Sequence, residues 1–135
     1  MTLFLDANVI IYLVEGNRDF QARAIARIER HRRRHRSAQL AVSRLSWLEC
    51  RVRLLRENNR KGLAAYESFF AEPDLIVVEL TAPVVEAAAN VRAALGMSTP
   101  DALQVASALQ IPGPLVLFSN DARFAKLPGL AVEAV

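Results

Sequence analysis

Four carboxylates stand out in this chain because each lies at the edge of an apolar segment and none belongs to a charge run: Asp6, Glu49, Asp101 and Asp121. Taken singly, each has a structural use. Asp6 suits the N-cap of a following helix, accepting from its free backbone N–H groups. Glu49, three residues after Ser46, fits a capping box. Asp101, behind Thr99 and Pro100, sits where the helix dipole favours an acid. Asp121, beside Asn120, suits a turn or cap. Taken together they imply chemistry. Carboxylates converging on one edge of a sheet repel one another, and a divalent cation relieves that repulsion. Hard oxygen donors select Mg2+ or Mn2+ over zinc. Two such ions about 4 Å apart activate a water and stabilise the leaving oxygen of a phosphodiester displacement.

The elements that would bring the acids together follow from the apolar pattern. Leu3-Phe4-Leu5 is too short for a helix and predicts a buried strand, which stops at Asp6, where apolar residues resume at helical length. The same grammar recurs where Pro114-Leu115-Val116-Leu117-Phe118 runs into Ser119-Asn120-Asp121. In an open α/β sheet, ligands bind beyond the carboxyl ends of the strands, where the strand order reverses.

Between these ends the chain predicts a helix over Val9 to Val14 closed near Gly16. A second helix, from Asp19 to about Arg34, places Phe20, Ala24, Ile25 and Ile28 on one face. A strand at Leu40-Ala41-Val42 leads into a helix started by Ser43 or Ser46, broken near Asn58-Asn59, and then a helix over Gly62 to Phe70. Leu75 to Val78 is a strand by its β-branched content. Helices opened by Thr81 and by Thr99, the second through Leu109, precede the Leu115–Phe118 strand. A short segment over Ala122 to Leu127 leads to a last strand, Leu130 to Val135. Strands alternating with helices imply an α/β fold, a central mostly parallel sheet of about five strands with helices on both faces. At 135 residues the chain is expected to form a single domain over residues 1–135 with one core.

The formal charge of +3 is unevenly placed. Seven arginines lie between Arg23 and Arg36 against one acid, Glu29, while the rest of the chain carries 10 basic and 13 acidic residues. Such an arm, with Arg30, Arg32, Arg33, Arg34 and Arg36 at its centre, suits a polyanion such as RNA, a protein partner, or a solvated helix face. No aromatic residue interleaves with it, so base stacking is not indicated there. Cys50 is the sole cysteine, which excludes an intrachain disulfide and suits a reducing compartment. With no apolar run of about 20 residues and no secretory leader pattern, the expectation is a cytoplasmic protein that does not span a membrane.

These residues resemble the PIN-domain ribonucleases and, in size, the VapC toxins of bacterial and archaeal toxin–antitoxin pairs. The likeness runs from the LDANVII opening through Trp47-Leu48-Glu49 and Thr99-Pro100-Asp101-Ala102-Leu103 to Ser119-Asn120-Asp121-Ala122-Arg123-Phe124. It implies a PIN-like fold and a metal-dependent endoribonuclease, with Asp6, Glu49, Asp101 and Asp121 holding Mg2+ or Mn2+ and with Asn8 and Ser119 as polar helpers. It also implies an RNA substrate, often tRNA or rRNA, a VapB-like antitoxin that masks the site, and a homodimer. Gln104 stands where many relatives carry histidine. Arg123 is the one basic residue in the motif segments, so other phosphate neutralisation would come from metals and more distant arginines. Two alternatives remain within the likeness: a non-catalytic module binding RNA or protein, and a housekeeping RNA-processing nuclease. The aspartyl phosphatases of the haloacid dehalogenase type also begin with a strand ending in Asp, but they want a second Asp where this chain has Asn8.

Overall fold

The computed structural model describes residues 1–135, the side chain of Lys126 excepted. The chain alternates as read: β1 (Thr2–Leu5), α1 (Ala7–Glu15), α2 (Arg18–Arg34), β2 (Gln39–Ser43), α3 (Arg44–Arg56), α4 (Arg60–Phe70), β3 (Ile76–Val78), α5 (Ala82–Leu95), α6 (Thr99–Leu109), β4 (Leu115–Phe118) and β5 (Ala131–Glu133). A short 3-10 turn, Phe124–Lys126, connects β4 to β5.

The five strands form one sheet in the order β3-β2-β1-β4-β5. Every pairing is parallel, so the sheet is wholly rather than mostly parallel. The chain winds outward from β1 in both directions, and the order therefore reverses between β1 and β4, whose register pairs Leu5 with Phe118.

Alternation along the strands divides the core. Leu3, Leu5, Val42 and Phe118 pack with Val9 and Ile10 of α1, Ala24 and Ile28 of α2, Cys50 and Leu54 of α3 and Tyr66 of α4. Phe4, Ala41 and Leu117 meet Val105 and Ala108 of α6, with Phe124 closing the same cluster. Outside this layer α5 packs on α6 through Val84, Ala88, Ala102 and Ala106. Because β1 is covered on both faces, it reads as an unbroken apolar run.

Some local expectations hold and others shift. Gly16 closes α1 in the left-handed region at φ 72°, as glycine readily does. The cap of α3 is Ser43, whose hydroxyl accepts from the Leu45 N–H at 3.1 Å, so the helix starts too early for Ser46 and Glu49 to form a capping box. Likewise α6 is capped by Ser98, one residue before Thr99. Asn59 caps α4, which begins at Arg60 rather than Gly62. β3 omits Leu75, and β5 is three residues long. Ile25 is exposed: Ala24 and Ile28, one turn apart, define the buried face, and Ile25 is rotated off it.

Candidate active site

Asp6 ends the central strand and is 6% exposed. It does cap α1, since its Oδ1 accepts from the Val9 N–H at 3.0 Å. Its second oxygen, Oδ2, accepts from the Ser119 hydroxyl beyond β4. Ser119 Oγ in turn accepts from the Asp121 N–H at 3.0 Å. One hydroxyl thus ties the acid after β1 to the acid after β4 across the point where the strand order reverses. Burial, above all, raises the Asp6 pKa, and the Asp121 charge adds to the effect, while the bond from Ser119 opposes it.

Glu49 and Asp101 are brought in by two facing polar stripes. Ser43, Ser46 and Glu49 follow one another at three-residue intervals on α3 and its cap, as do Asp101, Gln104 and Ser107 on α6, which places each set along one helix face. The Ser43 and Ser107 hydroxyls are bonded at 2.9 Å. The Gln104 amide donates to Ser46 Oγ at 2.9 Å and to Glu49 Oε1 at 3.0 Å. The stripes run in opposite directions, so Glu49 lies toward the Asp101 end of α6. Burial raises the Glu49 pKa, the Gln104 bond opposes it, and the charges of Asp101 and Asp6 push it further up.

Asp121 is held differently. The Arg123 guanidinium donates to it through Nε at 3.0 and 3.1 Å and through Nη2 at 2.6 Å, and draws its pKa down. Arg123 Nη1 also lies 3.1 Å from Asp101 Oδ2. Among the described residues that buried oxygen has no hydrogen-bonded partner, so the contact is an ion pair without hydrogen-bond alignment.

The structure therefore brings Asp6, Glu49, Asp101, Asp121 and Ser119 to one edge of the sheet. Asn8 faces solvent, though its backbone N–H points at the Asp6 carboxylate. The arginine arm is dispersed. Arg30, with Arg27 and His31, clamps Glu133 on β5. Arg32 and Arg36 line a cavity of about 550 Å³ with Gln39, Glu72 and Asp74, at the amino-terminal ends of β2 and β3, the edge opposite the acids. Arg33 and Arg34 are exposed.

By donor type the acids fit a hard cation: all are carboxylates, Asp6 is destabilised by the charge of Asp121 and Glu49 by those of Asp101 and Asp6, and Asp101 has a buried oxygen with no hydrogen-bonded partner among the described residues. Among the described residues, however, no three His, Cys, Asp or Glu side chains are arranged to hold a single ion. Sequence reasoning left two participants unassigned. Gln104 had one readable signal, being a polar side chain one turn beyond Asp101 within an apolar helix. Arg123 was visible only as a lone cation.

The sequence matches the PIN domain family over residues 3–130. The chain is a PIN domain. No curated protein matches it. Solved structures share the PIN architecture at low identity. VapBC2 from Rickettsia felis, bound to a promoter DNA fragment, is 15% identical with a TM-score of 0.74, covering 99% of this chain and 98% of that one. VapBC-1 from nontypeable Haemophilus influenzae is 20% identical with a TM-score of 0.70 and the same coverages. FitAcB from Neisseria gonorrhoeae is 18% identical with a TM-score of 0.64, covering 96% of this chain and 95% of that one.

Proposed function

We propose that this PIN domain is a metal-dependent endoribonuclease, the VapC-like toxin of a toxin–antitoxin pair, acting on structured RNA such as tRNA or rRNA. The observation that carries the reading is the gathering of Asp6, Glu49, Asp101 and Asp121 where β1 and β4 end side by side. These four carboxylates would hold Mg2+ or Mn2+, which supplies water activation and charge neutralisation at the scissile phosphate. The chain's own residues set the stage. Ser119 orients Asp6 and fixes the 119–121 turn. Gln104 aims Glu49 at the Asp101 end of α6. Burial of Asp6 behind the Val9 and Ser119 bonds keeps one acid fixed while Asp121 stays closer to solvent.

A protein partner is supported by α3. Its outward face carries Leu48, Val52 and Leu55, all exposed, with Leu48 57% accessible one residue from Glu49. An apolar ridge of this kind, beside the acids, suits a VapB-like antitoxin or a second copy of the chain. Two of the solved neighbours are VapBC assemblies by name, which agrees with an antitoxin partner.

A non-catalytic binding module is the second reading, favoured by Arg123, whose guanidinium already neutralises two of the acids. Incubation of partner-free protein with total RNA separates the two. Discrete fragments with Mg2+ or Mn2+ and none with EDTA support the nuclease. RNA retained intact by folded, metal-supplied protein supports the module.

A further inference from the structure

Arg123 differs from the chain's other paired arginines in bridging two acids of the candidate site. Its base is fixed. The following residue, Phe124, is buried in the core, and the Arg123 N–H donates to Asp121 Oδ1 at 2.9 Å. Its head is not enclosed: the side chain is 67% exposed, against 15% for Asp101 and 23% for Asp121. The guanidinium grips Asp121 through both carboxylate oxygens and reaches Asp101 Oδ2, which has no aligned donor among the described residues. Asp101 opens α6 and Asp121 follows β4, so this one side chain spans two elements at the sheet edge. A planar fork suits such bridging, and its charge relieves acid repulsion just as a divalent cation would.

We propose that Arg123 is an internal latch: its guanidinium occupies Asp101 and Asp121 in the cation-free protein and is displaced when a divalent cation binds the acids. The inference rests on reading these carboxylates as cation ligands. Two properties make displacement feasible. An exposed ion pair is weakly held because water screens it and holding a long side chain costs entropy. Release also exposes no apolar surface, because the anchoring is done by Phe124 and the turn.

The test measures Mn2+ binding by calorimetry, and thermal midpoints in EDTA and in Mn2+, for the wild type, Arg123→Met, Arg123→Lys and Asp101→Asn. Arg123→Met is expected to bind Mn2+ about tenfold more tightly, the range in which two coupled sites compete. Its midpoint should fall in EDTA, where the acids lose their counter-ion, and rise further with Mn2+ than that of the wild type. Arg123→Lys, which keeps charge without the fork, should fall between. Equal affinity in wild type and Arg123→Met, with binding lost in Asp101→Asn, overturns the latch and leaves the cation site standing. Weaker binding by Arg123→Met also overturns it. No binding by wild type or Arg123→Met overturns both the latch and the cation-site reading.

Discussion

The Ser119 hydroxyl donates to Asp6 Oδ2, joining residues 113 positions apart in sequence at the ends of two adjacent strands. Since Oδ1 of the same carboxylate caps α1, both oxygens of a buried acid are engaged by the chain. Removing the donor to a buried carboxyl oxygen leaves that oxygen's desolvation uncompensated. Ser119→Ala is therefore expected to lower unfolding stability by about 1–3 kcal/mol, read as a lower urea midpoint with unchanged slope. An unchanged midpoint would mean that the bond does not hold Asp6.

Gln104 acts on Glu49 through its amide, which Leu cannot replace. Gln104→Leu should reduce RNA cleavage about 10- to 100-fold, the usual cost of losing a partner that orients a ligand. Gln104→His, which retains an N–H donor, should recover much of that loss. Equal defects in both variants would assign Gln104 to packing rather than orientation.

Much of the fold was legible because β1 and β4 are covered on both faces and so read as unbroken apolar runs ending in polar turns. Asp6 shows how a structural and a chemical reading of one residue coexist: it is the cap of α1 and also reaches Ser119. Glu49 shows where local reading fails. Its spacing from Ser46 mimics a capping box, yet Ser46 is buried and accepts from Gln104, 58 residues away. Pairings of that range, like Arg123 with Asp101, depend on how α3, α6 and the turn after β4 meet, which no local window contains.

The arginine arm should split by location. Arg30 is engaged by Glu133, and Arg32 and Arg36 lie at the far edge, so Arg33 and Arg34 are the exposed pair to test first. If both contact phosphates, Arg33→Ser with Arg34→Ser flattens the salt dependence of RNA binding by about 1 to 2 in log–log slope. An unchanged slope assigns them to a solvated face or a protein partner. Arg30→Ser instead should loosen β5 from α2, seen as faster amide exchange in Ala131–Glu133.

Tyr66, fully buried, donates to Glu15 at 2.5 Å, and burial first, then that bond, raises its pKa well above the ordinary value. A phenol whose folded pKa exceeds its unfolded value of about 10 stabilises the fold fully below that pH and loses the contribution above it. In a Tyr12→Phe background, where Tyr66 is the only tyrosine, phenolate absorbance should appear only as the protein unfolds in alkali. Phenolate appearing near pH 10 in folded protein would contradict the burial.

The central claim is that the four acids act as one site, and single-turnover RNA cleavage by Asp6→Asn, Glu49→Gln, Asp101→Asn and Asp121→Asn tests it most directly. Asn still caps a helix, so Asp6→Asn removes charge without removing the cap. With native circular dichroism confirmed for each, the account predicts loss of metal-dependent cleavage in all four. Cleavage at the wild-type rate by Asp6→Asn or Asp101→Asn would contradict it.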